Sequence, residues 1–318
     1  MDVIKKLLLV AVLVCGTLPL TYGMPDLVLA KDEERFDQTL YTKVKQHLLN
    51  YDTEFSIEYK GNTEKIDRQL QAIMEEMREQ NTYVFENIKK WQASYRYTKN
   101  KANVEFTIDY LTTAMQENYV TAEIKRIAKH IVTPGMTNFE KVKVVHDYVI
   151  LNTKYSTETI ASQYTTYSLL TEGKAVCQGY ALFMYRMLQE LGFDVKYVKG
   201  YAGGELHGWN LVKLNDHWFH LDATWNDPMP DRNNQVRYKY FLLSDNEMAK
   251  THTWDKTAYP SAIAEKYAAM NITDVINKSG NELYFKNLST NPMYKMRLKT
   301  LHLQKYRTIL YEQKLSTL

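Results

Sequence analysis

Cys177 is the residue whose type and setting point most directly to covalent chemistry. Gly173 breaks the chain ahead of it, and from Cys177 onward Tyr180, Met184, Met187, Leu188 and Leu191 recur at helical spacing before Gly192. The sulfur is therefore expected at the first turn of a helix. The backbone N–H groups and macrodipole there favour thiolate over thiol, and the same groups can hold a tetrahedral oxyanion. Gln178, next to the thiol, is a candidate substrate contact.

A thiol nucleophile needs a base, and the base needs an orienting partner. Asn215-Asp216 is a two-residue hairpin signal between the strand-like runs His207 to Leu214 and His217 to Asp222. With Leu214 opposite His217, counting outward sets Trp209 opposite Asp222 and His207 opposite Thr224. His207, Trp209 and Asp222 then share a face, and His207 and Asp222 are diagonal neighbours about 7–8 Å apart. A slip of one residue would separate them. His220 has the strand parity of Asp222 and is a rival base, yet side chains two apart on one strand run side by side rather than meeting. His217 faces the other way at the hairpin tip. His146 and Asp147, adjacent in a helix, point in different directions and read as packing. Trp209 and Trp225 flank the site, either as core aromatics or as walls of a narrow acyl channel that excludes water. No spacing of His, Cys and carboxylate makes a zinc site, so neither metal nor cofactor is expected.

The elements that must position these groups fall in two parts. Residues 24–133 read as a small α+β domain without a catalytic signature. Its expected elements are a helix over Asp32 to Asn50, a strand over Glu54 to Tyr59, a long helix opening at Asn62 and running toward Ile88, strands over Ala93 to Tyr97 and Val104 to Tyr110, and a helix over Val120 to Ile131. Pro134-Gly135 marks a break, and Thr137 with Glu140 forms a capping box for a helix over Asn138 to Asn152. Residues 134–260 are thus expected as the chemical domain, with a strand from Phe193 to Tyr201 and a Gly203-Gly204 turn ahead of the hairpin. Residues 261–318 form a more polar extension with strand-like runs at Glu282 to Phe285 and Tyr294 to Leu298.

Residues 1–23 have the order of a secretory signal. Lys5 and Lys6 precede the apolar run Leu7 to Val14, and small residues follow up to Gly23. The run is too short for the ~20 residues of a membrane span, and no transmembrane segment is expected in the mature chain. Removal of the signal takes away Cys15 and leaves Cys177 as the sole cysteine, which in an oxidising compartment is a liability unless it has a job. A secreted or cell-envelope location follows. Forty Lys plus Arg against thirty-seven Asp plus Glu give a formal charge of +3, without a basic run that would track a phosphate backbone, so nucleic acid is excluded as a partner.

The segments Lys174-Ala175-Val176-Cys177-Gln178-Gly179-Tyr180-Ala181, His207-Gly208-Trp209-Asn210 and Trp218-Phe219-His220-Leu221-Asp222-Ala223-Thr224-Trp225 resemble, in order and spacing, the core motifs of the bacterial transglutaminase-like superfamily. The resemblance runs from about Thr137 to Asp255. It implies an α+β, papain-like core with the cysteine helix packed on an antiparallel sheet, Cys177 as nucleophile, His207 as base and acid, and Asp222 as orienting carboxylate. It also implies acyl transfer on protein or peptide amides: crosslinking, deamidation, or hydrolysis as by a cysteine protease. Gly208 stands where a larger small residue is common, which should loosen the strand beside His207. Relatives that have lost the triad serve as scaffolds, so the alternative is a catalytically silent exported binding protein of the same fold.

Overall fold

The computed structural model describes residues 36–227 and 236–267 with their side chains, and the backbone of six further strands at 4–11 and from 273 onward. Compact packing divides the chain into Met1–Glu117 and Asn118–Leu318.

The first unit is a four-stranded antiparallel sheet with helices on one face. In chain order its elements are β1 (Ile4–Ala11), α1 (Gln38–Leu49), β2 (Glu54–Lys60), α2 (Ile66–Gln80), α3 (Thr82–Glu86), β3 (Ile88–Thr98) and β4 (Lys101–Tyr110), and the sheet order is β1-β3-β4-β2. Strict alternation along β4 buries Ala102, Val104, Phe106 and Ile108, which pack with Leu40, Val44 and Leu48 of α1 and Leu70, Ile73 and Met77 of α2. The long helix starts at Ile66, four residues later than expected from Asn62. Local side-chain bonds compete for the backbone there: Asn62 accepts from Glu64 N at 2.9 Å, and Thr63 Oγ1 donates to the Thr98 carbonyl at 2.6 Å. Strand β1 falls within the stretch expected to be an export signal, whose cleavage point at Gly23 lies outside the described residues.

The second unit contains the elements that matter for chemistry. The division between units falls at Glu117, inside helix α4 (Ala114–Ile131), rather than at Pro134. Val120, Ile124, Ile127 and Ile131 give α4 a continuous buried stripe, and all four lie on the second unit's side of that division. Helix α5 (Asn138–Asn152) opens with the expected capping box, Thr137 N donating to Glu140 Oε2 at 2.7 Å and Glu140 N to Thr137 Oγ1 at 3.3 Å. Next come β5 (Lys154–Tyr155), α6 (Thr166–Glu172), β6 (Lys174–Ala175) and α7 (Cys177–Glu190). Helix α7 is buried on every side, which makes it the central helix of the unit.

A five-stranded antiparallel sheet flanks α7. It comprises β7 (Val195–Ala202), β8 (Glu205–Leu214), β9 (His217–Leu221), β10 (Phe241–Leu243) and β11 (His252–Trp254) in the order β10-β9-β8-β7-β11, with short helices α8 (Ala223–Asn226) and α9 (Asp245–Met248) between strands. Leu214 pairs with His217 and Asn210 with Leu221, as counted from the turn. Asn215 and Asp216 both have positive φ, 48° and 66°, the backbone that a two-residue primed turn requires. Five further strands, β12 (Thr273–Ser279), β13 (Glu282–Asn287), β14 (Met293–Thr300), β15 (Ile309–Tyr311) and β16 (Ser316–Thr317), form an antiparallel sheet that includes both runs expected in the extension.

Candidate active site

Cys177 is the first residue of α7 and is buried. Gly173 ends α6 in the left-handed conformation, and Lys174–Ala175 pairs in parallel with Lys154–Tyr155, so a rigid two-residue strand delivers the chain to the helix start. Val176, the residue before the helix, has no side-chain oxygen to cap it. The first turn thus presents its N–H groups and positive dipole end around the sulfur rather than to a capping side chain. Gly179 is required by packing: a Cβ there would lie 2.7 Å from that of Ala175 and 3.2 Å from the carbonyls of Gln163 and Thr165. Further bonds lock the helix in place. Tyr180 donates to Asp227 at 2.6 Å, and Asn210 Nδ2 of β8 donates to the Ala181 carbonyl at 3.0 Å.

His207 and Asp222 meet as the register requires, Nε2 lying 2.8 Å from Oδ2. Asp222 is not in the strand but caps α8, its Oδ1 accepting from Trp225 N at 3.0 Å, while its own N–H donates to the Tyr240 carbonyl at 2.9 Å. A third group, His252 of β11, places Nε2 3.1 Å from the same Oδ2. Nothing in the sequence near His252 marks it. It comes to the site only because β11 pairs with β7, His252 opposite Ala202.

The electrostatics follow from this enclosure. Burial alone lowers the His207 pKa, but the Asp222 charge and hydrogen bond, together with a hydrogen bond to Cys177, raise it to about 10. Since Nε2 is committed to Asp222, Nδ1 is the nitrogen left to face the sulfur. Burial disfavours the Asp222 carboxylate, yet His207 and His252 outweigh it and hold its pKa well below the usual carboxylate range. The two groups have opposite effects on stability. His207 contributes below its ordinary 6.5 and loses that contribution as pH rises through about 10. Asp222 contributes above its ordinary 3.8 and loses it as pH falls through the depressed value.

The other residues singled out in the sequence sort differently. Trp209 is 1% exposed and packs with Val198, Leu211 and Leu243, so it lies in the core and does not wall a channel. Its ring stacks against His207 at 6.0 Å and 22°. Its indole N–H donates to His220 Nδ1 at 2.9 Å, and His220 Nε2 meets Asp245 Oδ1 at 2.8 Å. Both nitrogens of the rival base are thereby engaged in fixing Trp209, and burial lowers its pKa. Trp225 is half-buried, 6.0 Å from the His207 ring and 4.6 Å from that of His252. Gln178 is buried in the first turn of α7.

Two expectations need correction. His146 and Asp147 do meet, Nδ1 to Oδ1 at 3.1 Å, and His146 Nε2 takes the Asn226 amide at 3.0 Å, because both side chains lie in a buried polar cluster with Lys143 and Tyr238. Gly208 does not loosen its strand: a Cβ there would sit 2.3 Å from the Tyr197 hydroxyl and 2.8 Å from its ring carbon. The Tyr197 ring occupies the space a side chain would take. Gly208→Ala is therefore expected to cost about 1–3 kcal/mol through overpacking. Chemical denaturation reads this, and an unchanged midpoint would show that Tyr197 gives way.

Among the described residues, His207, Asp222 and His252 bring three ligand-type atoms within 4.8 Å of one another. The 2.8 Å between His207 Nε2 and Asp222 Oδ2 is a hydrogen-bond length, whereas two ligands on a tetrahedral zinc with bonds of ~2.0–2.1 Å stand about 3.3 Å apart. The cluster fits a proton network better than a metal cage.

Residues 125–223 match the transglutaminase-like superfamily. No curated protein sequence matches the chain. Three solved structures are similar in part. A proposed cysteine protease from Cytophaga hutchinsonii is 17% identical with TM-score 0.31, over 44% of this chain and 59% of that one. A TGase is 16% identical with TM-score 0.30, over 58% and 55%. A proposed protease from Parabacteroides distasonis is 15% identical with TM-score 0.28, over 40% and 29%. The chain thus spans less than two thirds of the length of each.

Proposed function

The chain carries a transglutaminase-like core over residues 125–223, and from that premise we propose that it is an exported thiol enzyme that transfers acyl groups from protein or peptide amides. The observation that carries the reading is His207 held between the Asp222 carboxylate at 2.8 Å and the Cys177 thiol. A ring that stays protonated to about 10 keeps its neighbour as thiolate at neutral pH.

The Cys177 thiolate attacks the amide carbonyl, forming the C–S bond, and the first turn of α7 receives the charge on oxygen. His207 gives its proton to the departing nitrogen as the C–N bond breaks, leaving an acyl-thioester, neutral imidazole and free amine or ammonia. A second amine or water then attacks, His207 takes its proton, and the C–S bond breaks to restore the thiolate–imidazolium pair. The export reading rests on Lys5, Lys6 and the apolar run after them. Peptides or proteins of the cell envelope are the substrates it puts within reach.

The test is the rate of Cys177 alkylation by iodoacetamide against pH, in the intact protein and in His207→Ala. The intact protein should react at a plateau through neutral pH, and the variant should follow an ordinary thiol titration near ~8.5. Ordinary titration in both would overturn the enzyme reading. Incorporation of a labelled primary amine into a glutamine-containing protein, without cleavage, then marks a crosslinker rather than a hydrolase.

A further inference from the structure

We infer that His252 is a positioning residue that holds Asp222 against His207, making a Cys177–His207–Asp222–His252 relay. The inference rests on the acyl-transfer reading and adds a member to it. His252 is fully buried and lies in β11, outside the three motifs that carry the other groups. Its Nδ1 is 2.8 Å from Thr251 Oγ1, and its Nε2 is 3.1 Å from Asp222 Oδ2. A hydroxyl can donate to Nδ1, which leaves the proton on Nε2 and aims it at the carboxylate. The ring therefore needs no charge to do its work.

The packing around it is equally specific. Trp209 stands edge-on at 5.0 Å, Trp225 lies at 4.6 Å and Tyr240 at 5.5 Å, so the imidazole cannot turn away. With His252 in place Asp222 is fixed by His207, His252 and Trp225 N, which come from three separate segments. Without it, Oδ2 keeps one partner in a buried site, and the carboxylate is held by His207 and Trp225 N alone. The bond that sustains the His207 cation would weaken.

The test uses the full-length protein and two readouts. The first is the His207 ring titration by NMR of labelled histidine. Its midpoint should fall by more than one pH unit in His252→Phe, which keeps the ring volume but neither nitrogen. His252→Gln, whose amide can still donate to Asp222, should recover most of that shift. The second is iodoacetamide alkylation at pH 7, which checks that His252→Phe keeps its thiolate: a ring whose midpoint has dropped one pH unit from about 10 is still protonated there, so the rate should stay within about twofold. An unchanged His207 midpoint in a folded His252→Phe overturns the inference. Should that variant not fold, Thr251→Val, which leaves the ring but removes its hydroxyl partner, should shift the midpoint in the same direction by a smaller amount, and no shift again overturns it. Failure of the enzyme reading looks different: an ordinary thiol alkylation profile in the unmodified protein, whatever the His207 midpoint does.

Discussion

Asp222→Asn should fold normally and lose about 10⁴-fold in acyl transfer, the scale seen when an orienting carboxylate is made an amide. The fold survives because asparagine caps a helix as well as aspartate does, so α8 keeps its bond from Trp225 N. The chemistry does not survive. The amide presents N–H where the Oδ2 lone pairs were, opposite His207 Nε2 at 2.8 Å and His252 Nε2 at 3.1 Å. His207 can meet that donor only with a bare Nε2, which moves its proton to Nδ1 and turns a donor toward the sulfur. Neutral histidine in that tautomer cannot take a proton from the thiol. The lost anion has a second effect. Burial, the influence opposing Asp222, is then countered by Cys177 alone, and the His207 pKa falls from about 10. The alkaline limit of thiolate–imidazolium pairing should accordingly move down from about 10. Acyl-transfer rates and the alkylation profile measure the two effects separately, and activity within tenfold of the unmodified protein would contradict the assignment.

Lys143→Met is expected to have the largest effect on stability, about 3–5 kcal/mol, because it removes one partner of a buried ion pair and strands the other. Lys143 Nζ contacts Asp147 Oδ2 and lies 2.7 Å from the Tyr238 hydroxyl, with side-chain exposures of 5% for the lysine and 17% for the aspartate. Burial raises the Asp147 pKa, and the Lys143 charge with the His146 bond more than reverses this. Asp147 therefore adds stability above its ordinary 3.8, and the gain is lost as pH falls through the depressed value. His146 cannot replace the lysine as the cation, since burial pushes its own pKa down. Urea denaturation of Lys143→Met, Asp147→Asn and the double variant would isolate the coupling. A single-variant loss below about 1 kcal/mol would place the pair among weak surface contacts. The cluster also reaches the site, because His146 holds Asn226 and Asn226 Oδ1 accepts from Tyr240 N at 2.8 Å beside the Asp222 anchor.

What could be read from the sequence depended on how local its cause was. The His207–Asp222 pairing was legible because a two-residue turn at Asn215-Asp216 dictates register, and register dictates which side chains share a face. The α5 capping box and the α7 start were legible for the same reason, each being set within a few residues. His252 was not, because its place depends on β11 pairing with β7 some fifty residues earlier in the chain. The space beside Gly208 was misread because Tyr197, on the neighbouring strand, fills it. Trp209 could be given either of two roles until the His220–Asp245 pair showed how its indole N–H is satisfied.

The three bonds to the Asp222 carboxylate span very different lengths of chain: three residues to Trp225, fifteen to His207 and thirty to His252. Loop-closure entropy sets an order on such contacts, the nearest forming cheaply and the farthest only once the sheet edge docks. A chain that is only half collapsed holds the cysteine without the third bond to Asp222. On the acyl-transfer reading, the thiol would stay blunt during folding and gain its full reactivity only with the last strand of that sheet.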